Sequence, residues 1–179
     1  ELISVSGHAI HRFDMKAHKR RDVIGVWGDG SVGFITALIL KKKFPESKIV
    51  VFGKNEEKLN FFSFVDETYS IDNIPEGLMV DHAFEAVGGK GSEYAIDQII
   101  DYINPEGTIA LLGVSENRIP INTRMVLEKG LSIIGSSRSG RSDFQEAVDF
   151  LEEHEDAQNQ LQKLISAAVS YTHLTLPTN

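Results

Sequence analysis

The chain has no cysteine among its 179 residues. That excludes disulfide frameworks, thiolate zinc sites, iron–sulfur clusters and cysteine nucleophiles within this stretch. Positive charge is also short: 26 acidic residues face 18 lysines and arginines, for a formal net charge of −8. A nucleic-acid-binding domain normally carries a basic footprint, so no nucleic-acid partner is expected. No apolar run reaches the roughly 18 residues of a membrane span, and no secretory apolar core is visible at the start. Neither an initiator methionine nor a solenoid-type repeat is present. What remains is the expectation of a cytoplasmic chain without a membrane partner. At this length it buries a core without a disulfide or metal staple.

Residues 1–21 combine a short apolar-periodic stretch (Ile3, His8, Ala9, Phe13) with a basic cluster, Arg12, Lys16, Lys19, Arg20 and Arg21. This reads as a helix with a solvated, positively charged C-terminal end. A regular alternation then begins. The strands expected are Val23–Trp27, Lys48–Phe52, Glu67–Ile71, Leu78–Phe84, Thr108–Leu112 and Leu131–Gly135. Several are continuous apolar runs, the pattern of strands buried on both faces. The helices expected between them are Phe34–Phe44, Asn55–Phe64, Gly91–Ile103, Thr123–Lys129 and Ser142–Glu153. Asn55 and Ser142 read as N-caps, and Asn104–Gly107 as a turn. Six strands alternating with helices imply an α/β fold with a doubly wound parallel sheet, in the order 3-2-1-4-5-6. Residues 22–153 fill it. Residues 154–170 are a polar, acidic segment. Residues 171–179 have neither period and resemble a translated adapter or cloning scar; a natural disordered terminus is the other reading.

The first strand runs into Gly28-Asp29-Gly30-Ser31-Val32-Gly33, a G-x-G-x-x-G between strand and helix, the context that motif requires. Gly28 allows the tight turn, Gly30 lets a pyrophosphate approach the backbone, and Gly33 lets helix and strand pack closely. With Ser31 and Val32 they open a helix whose free N–H groups attract phosphate. About 20 residues on, an NAD site carries an acid that binds the adenine ribose. Here the second strand ends in Gly53-Lys54-Asn55 instead. The reading is that glycine makes room for a 2′-phosphate and that Lys54, with Lys58 one turn on, pairs with it, which favours NADP(H) over NAD(H). Solvated surface lysine is the alternative for both. His8 reads as packing, His82 as hydrogen-bonded core or a cofactor neighbour, and Trp27 as packing beneath the glycine loop.

These residues resemble the coenzyme domain of the medium-chain dehydrogenase/reductase family. Glu1-Leu2-Ile3-Ser4-Val5 with His8-Ala9 is similar to the family's E-P-L-x-V-x-x-H-A helix, with Leu2 in place of proline. Asp81 to Gly88 resembles its D-x-x-x-E-x-x-G, Gly107 to Gly113 its fifth strand, and Leu131 to Ser136 its L-x-I-x-G-S. Within the family, Val26–Gly30, Val51–Lys54 and Ser136–Phe144 look most like ribulose-5-phosphate reductases. The resemblance implies a zinc-dependent oxidoreductase in which hydride passes from NADPH to the ketone of a sugar phosphate. The product would be ribitol 5-phosphate for teichoic-acid and capsular polymers. It also implies that the GroES-like catalytic domain, with its zinc ligands, lies outside this chain. Residues 1–21 would then be the linking helix, and the fragment alone inactive. Glu1 matches a position that approaches the zinc. Ala86, Val87, Val114 and Ser136 (with its neighbours Ser115 and Ser137) would flank the nicotinamide. Arg138 and Arg141 would bind a phosphate, or be surface arginines near Asp143 and Glu146. A homodimer through the edge strand 131–135 is expected, and a ribitol-5-phosphate cytidylyltransferase is a candidate partner. The competing readings are an NAD-linked polyol dehydrogenase and a non-catalytic regulatory Rossmann module.

Overall fold

Val23–Trp27 forms β1, and residues 24–27 are buried because a strand lies on each side of it and helices cover both faces. The computed structural model describes residues 1–165. In chain order the other strands are β2 (Lys48–Gly53), β3 (Glu67–Ser70), β4 (Val80–Glu85), β5 (Ile103–Leu111) and β6 (Ser132–Gly135). All pair in parallel, in the expected order β3-β2-β1-β4-β5-β6. The helices are α1 (Leu2–Lys16), α2 (Ser31–Lys43), α3 (Glu56–Leu59), α4 (Gly91–Tyr102), α5 (Thr123–Lys129), α6 (Arg141–Glu153) and α7 (Glu155–Gln162). One core layer joins Ile10 and Phe13 of α1, and Phe34 and Leu38 of α2, to Ile24, Val26, Val51 and Phe84. The opposite layer joins Ile96, Ile99 and Ile100 of α4 to Trp27, Val50, Phe52 and Ile109. Among the described residues no helix is long and apolar enough to cross a membrane. The expected scar at 171–179, His173 included, lies outside the described residues.

Several local expectations are corrected. α2 begins at Ser31, inside the glycine motif, rather than at Phe34. Asn55 does cap α3, its Oδ1 accepting the Lys58 N–H at 3.0 Å, but the helix stops after one turn instead of reaching Phe64. Phe62 and Phe64 turn inward to pack edge-on against Phe34, at 5.1 and 4.9 Å between ring centroids, and a continuing helix could not deliver both. Asn104–Gly107 is not a turn between elements: β5 runs through it, with Glu106 at φ 66° and a register shift against β4. The cap of α6 is Gly140 rather than Ser142, because Asp143 reaches back to accept the Gly140 N–H at 2.6 Å. Residues 155–162, read as a polar segment, form α7, which buries Ala157 and places Asp156 against Lys42.

The basic cluster is only partly a solvated helix end. Arg21 donates to Asp14 at 2.7 Å and lies over Phe13 and Phe44, at 4.9 and 4.7 Å from the ring centroids. Arg20 donates to Asp81 at 2.8 Å, which ties the approach to β1 onto β4. Burial raises the Asp14 carboxyl, but Arg21 and Lys19 outweigh it and hold the group down to about 2.

His82 is core. Its Nδ1 accepts the Thr108 N–H at 3.1 Å, so its Nε2 carries the proton and donates to the His18 carbonyl at 3.2 Å. Burial first, then the nearby His18 ring, pushes the imidazole down to about 4. In the unfolded chain it takes up a proton near 6.5. Between those values the unfolded state binds more protons, so this group costs no stability above pH 6.5 and destabilises the fold as pH falls toward 4. Urea titrations should show stability falling by roughly 3 kcal/mol across that window. The His82→Gln variant should show a clearly flatter profile there, while the Asp14 contribution fades separately, below about pH 4.

Candidate functional site

The site is built where β1 and β2 end and α2 begins. Gly28 adopts φ +133°, and a Cβ there would stand 2.7 Å from the Ala86 carbonyl oxygen. Its N–H donates to the Phe52 carbonyl at 2.8 Å, which locks the turn onto β2. A Cβ on Gly33 would lie 2.0 Å from the Gly28 carbonyl oxygen, so α2 touches the loop with no room for any side chain. Around Gly30, by contrast, nothing stands within 4 Å. Bare backbone therefore faces open space at the start of α2, where the first N–H groups of a helix have no internal partner. That is a cradle for an anion, most simply a phosphate.

A cleft of about 620 Å³ opens beside it, floored by Trp27 and Phe52 and walled by the ends of β1, β2 and β4. Trp27 stacks on Phe52, with ring centroids 3.9 Å apart, and donates its indole N–H to Gln98 at 2.9 Å. Gly28, Gly30, Gly53, Lys54, Lys58, Ala86 and Val87 all border the cleft. Ser31, Val32 and Gly33 form the first turn of α2 behind Gly30. Asn55 holds α3 in place next to Lys54.

The remaining expected residues lie apart. Val114 is 84% exposed and does not line the cleft; its carbonyl accepts the Gly89 N–H at 2.8 Å, which joins the β5 and β4 loops. Ser136 donates its N–H to the Leu111 carbonyl at 3.3 Å, also outside the cleft. Arg138, at φ 61°, lies on the loop into α6 and Arg141 is the first residue of that helix, with Ser139 between them. Ser4 donates to the Glu1 carbonyl at 2.7 Å and lies 3.2 Å from the Ser139 hydroxyl, so Glu1 and the arginine loop are neighbours. His8 supports that join, 3.0 Å from Asp143. Among the described residues no group of three or more His, Cys, Asp or Glu side chains converges as a metal site. Glu1 alone does not fit a tetrahedral zinc site.

Two acids carry more of this site than their sequence positions suggested. Asp29 Oδ2 accepts the N–H groups of both Lys54 and Asn55, each at 2.8 Å. A Cβ on Gly53 would stand 2.7 Å from the Asp29 Cβ and 2.8 Å from Leu59 Cδ2. Gly53 is therefore glycine because Asp29 and Leu59 occupy that space, rather than because a phosphate must enter it. The signal in the sequence was the motif's own second residue, an acid beside an anion cradle. Glu85, fully buried, accepts from the N–H groups of Val87 and Gly88 and from the Ser92 hydroxyl, at 2.9, 3.1 and 2.9 Å. Its other oxygen is buried without a hydrogen-bond partner and faces Gly113, two residues past β5, where a Cβ would stand 2.5 Å away.

Comparison with known proteins agrees with this geometry. The family model for zinc-binding dehydrogenase matches residues 31–153. A ribulose-5-phosphate reductase of Bacillus spizizenii is 57% identical over 165 residues, which are 92% of this chain and 48% of that protein. Ribulose-5-phosphate reductase 1 of Staphylococcus aureus is 58% identical over 161 residues, 90% of this chain and 47% of its own. The crystal structure of S. aureus TarJ in complex with NADPH superposes with a TM-score of 0.88 at 58% identity, covering 92% of this chain and 52% of that one. The chain thus spans about half the length of the relatives it matches.

Proposed function

The chain belongs to the zinc-binding dehydrogenase family, and on that premise we propose that it is the NADP(H)-binding half of a sugar-phosphate reductase. The observation that carries this reading is the side-chain-free cradle at Gly28, Gly30 and Gly33, with Lys54 and Lys58 on the adjacent wall. The relatives' names supply the substrate and the reaction class, reduction of ribulose 5-phosphate; reduction of its ketone would give ribitol 5-phosphate. Bound NADPH would supply the hydride for the ketone carbon. In this chain the first-turn N–H groups of α2 would hold the pyrophosphate, and the two lysines the 2′-phosphate. Glu85 would fix the loop of Ala86 and Val87 beside the nicotinamide. The zinc ligands would come from the half of the relatives that this chain does not span.

Arg138 and Arg141, either side of the Ser139 that meets Ser4, would bind a phosphate of the substrate or the cofactor. The β6 edge, with half-exposed Ile133 and Ile134, suits pairing with a second copy in a homodimer. A cytidylyltransferase consuming ribitol 5-phosphate is a fitting partner in the cytoplasm.

One observation favours the NAD-linked alternative: the Asp29 carboxylate lies where the acid of an NAD site would reach. A titration separates the two. The full-length protein should bind NADPH at least about 10-fold tighter than NADH. Lys54→Ala should weaken NADPH by about 10-fold and leave NADH within about twofold, as expected for one charge-assisted contact. Equal affinity for the two cofactors in the parent protein would refute the NADP(H) reading.

A further inference from the structure

We propose that Asp29 is the ribose-recognition residue of this site, accepting a hydrogen bond from the 3′-hydroxyl of the adenosine ribose. The inference rests on the NADP(H) reading and specifies how that site sorts the sugar from its phosphate. In dinucleotide-binding folds the ribose acceptor is a carboxylate at the end of the second strand. That position is Gly53, which has no side chain to offer. Asp29 fills the place from the other side. A Cβ on Gly53 would be 3.0 Å from Asp29 Oδ2, so the carboxylate stands where a side chain from the end of β2 would extend.

The two oxygens are not equivalent. Oδ2 is engaged by the Lys54 and Asn55 N–H groups, which fixes the plane of the carboxylate. Oδ1 takes no hydrogen bond from any described residue, and Asp29 borders the cleft. A carboxylate accepts and cannot donate, so the group it selects must be a donor. A ribose with a 2′-phosphate has one hydroxyl donor left, at the 3′ position. The same negative oxygen repels the phosphate, which is turned toward Lys54 and Lys58. One acid and two cations thereby impose opposite preferences on adjacent carbons of one sugar.

The test compares 2′,5′-ADP with its 3′-deoxy analogue by calorimetry, on the full-length protein and on Asp29→Asn. Asparagine keeps an oxygen for the two loop N–H groups and turns an NH₂, which cannot accept, toward the cleft. The parent protein should favour the hydroxyl-bearing ligand by about 10-fold or more, and the variant should bind both within about twofold. A role confined to tying the loop would weaken both ligands alike and leave the preference intact, which would overturn the proposal. So would the absence of any preference in the parent protein, a measurement that needs no variant. Equal binding of 5′-AMP and 2′,5′-ADP by the parent would instead refute the NADP(H) reading. The hydroxyl comparison then stands on 5′-AMP and 3′-deoxy-5′-AMP.

Discussion

Gly33→Ala should lose nucleotide binding altogether and destabilise the fold by about 3 kcal/mol, at the upper end for overpacking. The added methyl would begin 2.0 Å from the Gly28 carbonyl oxygen and 2.9 Å from its carbon. Both are backbone atoms, so no rotamer change relieves the contact. Either α2 moves off the sheet or the glycine loop unwinds. Movement of α2 is resisted by Phe34, Leu38 and Leu40, all essentially buried, in an interior packed too densely to absorb an ångström-scale shift. Unwinding the loop would cost the Gly28 bond to Phe52 and the cradle itself. Gly30→Ala is the informative contrast. Nothing stands within 4 Å of a Cβ there, so stability should change by less than about 0.5 kcal/mol. Nucleotide affinity should still fall, because the methyl would project where the pyrophosphate approaches. Denaturation curves and nucleotide titrations on the two variants check this. Equal stabilities would show that the close approach of α2 to the loop is not what Gly33 secures.

The second large effect is expected at Glu85. Truncation to alanine removes one acceptor from three donors, the Val87 and Gly88 N–H groups and the Ser92 hydroxyl, in a fully buried setting. Each unsatisfied buried donor costs about 1–3 kcal/mol, partly recovered by relaxation, so Glu85→Ala should destabilise by about 4 kcal/mol. Glu85→Gln keeps an oxygen for those donors and puts an NH₂ in place of the oxygen that already lacks a partner. It should cost about 1–2 kcal/mol. Urea denaturation should therefore rank parent, Gln, Ala in descending stability, with the Ala variant also binding NADPH more weakly as Val87 loses its anchor. If Gln proves as damaging as Ala, the three accepted bonds are not what Glu85 contributes.

Much of this architecture was legible because parallel strands buried on both faces leave continuous apolar runs, and β1 and β2 are such runs. The glycine motif was legible for the same local reason: strand, loop and helix start are contiguous. α5 matches its expected bounds, since Gly130 after it, at φ 62°, is a local stop signal; the structure adds Asn122 as its cap. What escaped depended on contacts between distant segments. Asp29 meets Gly53 only because β1 and β2 are paired, so the reason for that glycine lies outside its own neighbourhood. α3 ends early because Phe62 and Phe64 are drawn to Phe34 across the layer. α7 was hidden by its polar composition, since only Ala157 is buried to mark an inner face. The cap of α6 went to Gly140 because Asp143 supplies the acceptor, and Asp143 is in turn held by His8 of α1.

The strand order also sets a timetable for synthesis. β1 lies in the middle of the sheet, yet only β2 follows it promptly; its other neighbour, β4, is translated after β3. Without β4, the apolar pair β1 and β2 would have one unpaired flank. The first helix gains its polar anchors later still, because Ser139 and Asp143 are each 135 residues away from their partners Ser4 and His8. Contacts that distant make for slow folding, and an open strand edge invites mispairing in the interval. Until β4 pairs, the central strand β1 thus has an uncovered edge, the point of this strand order most open to mispairing.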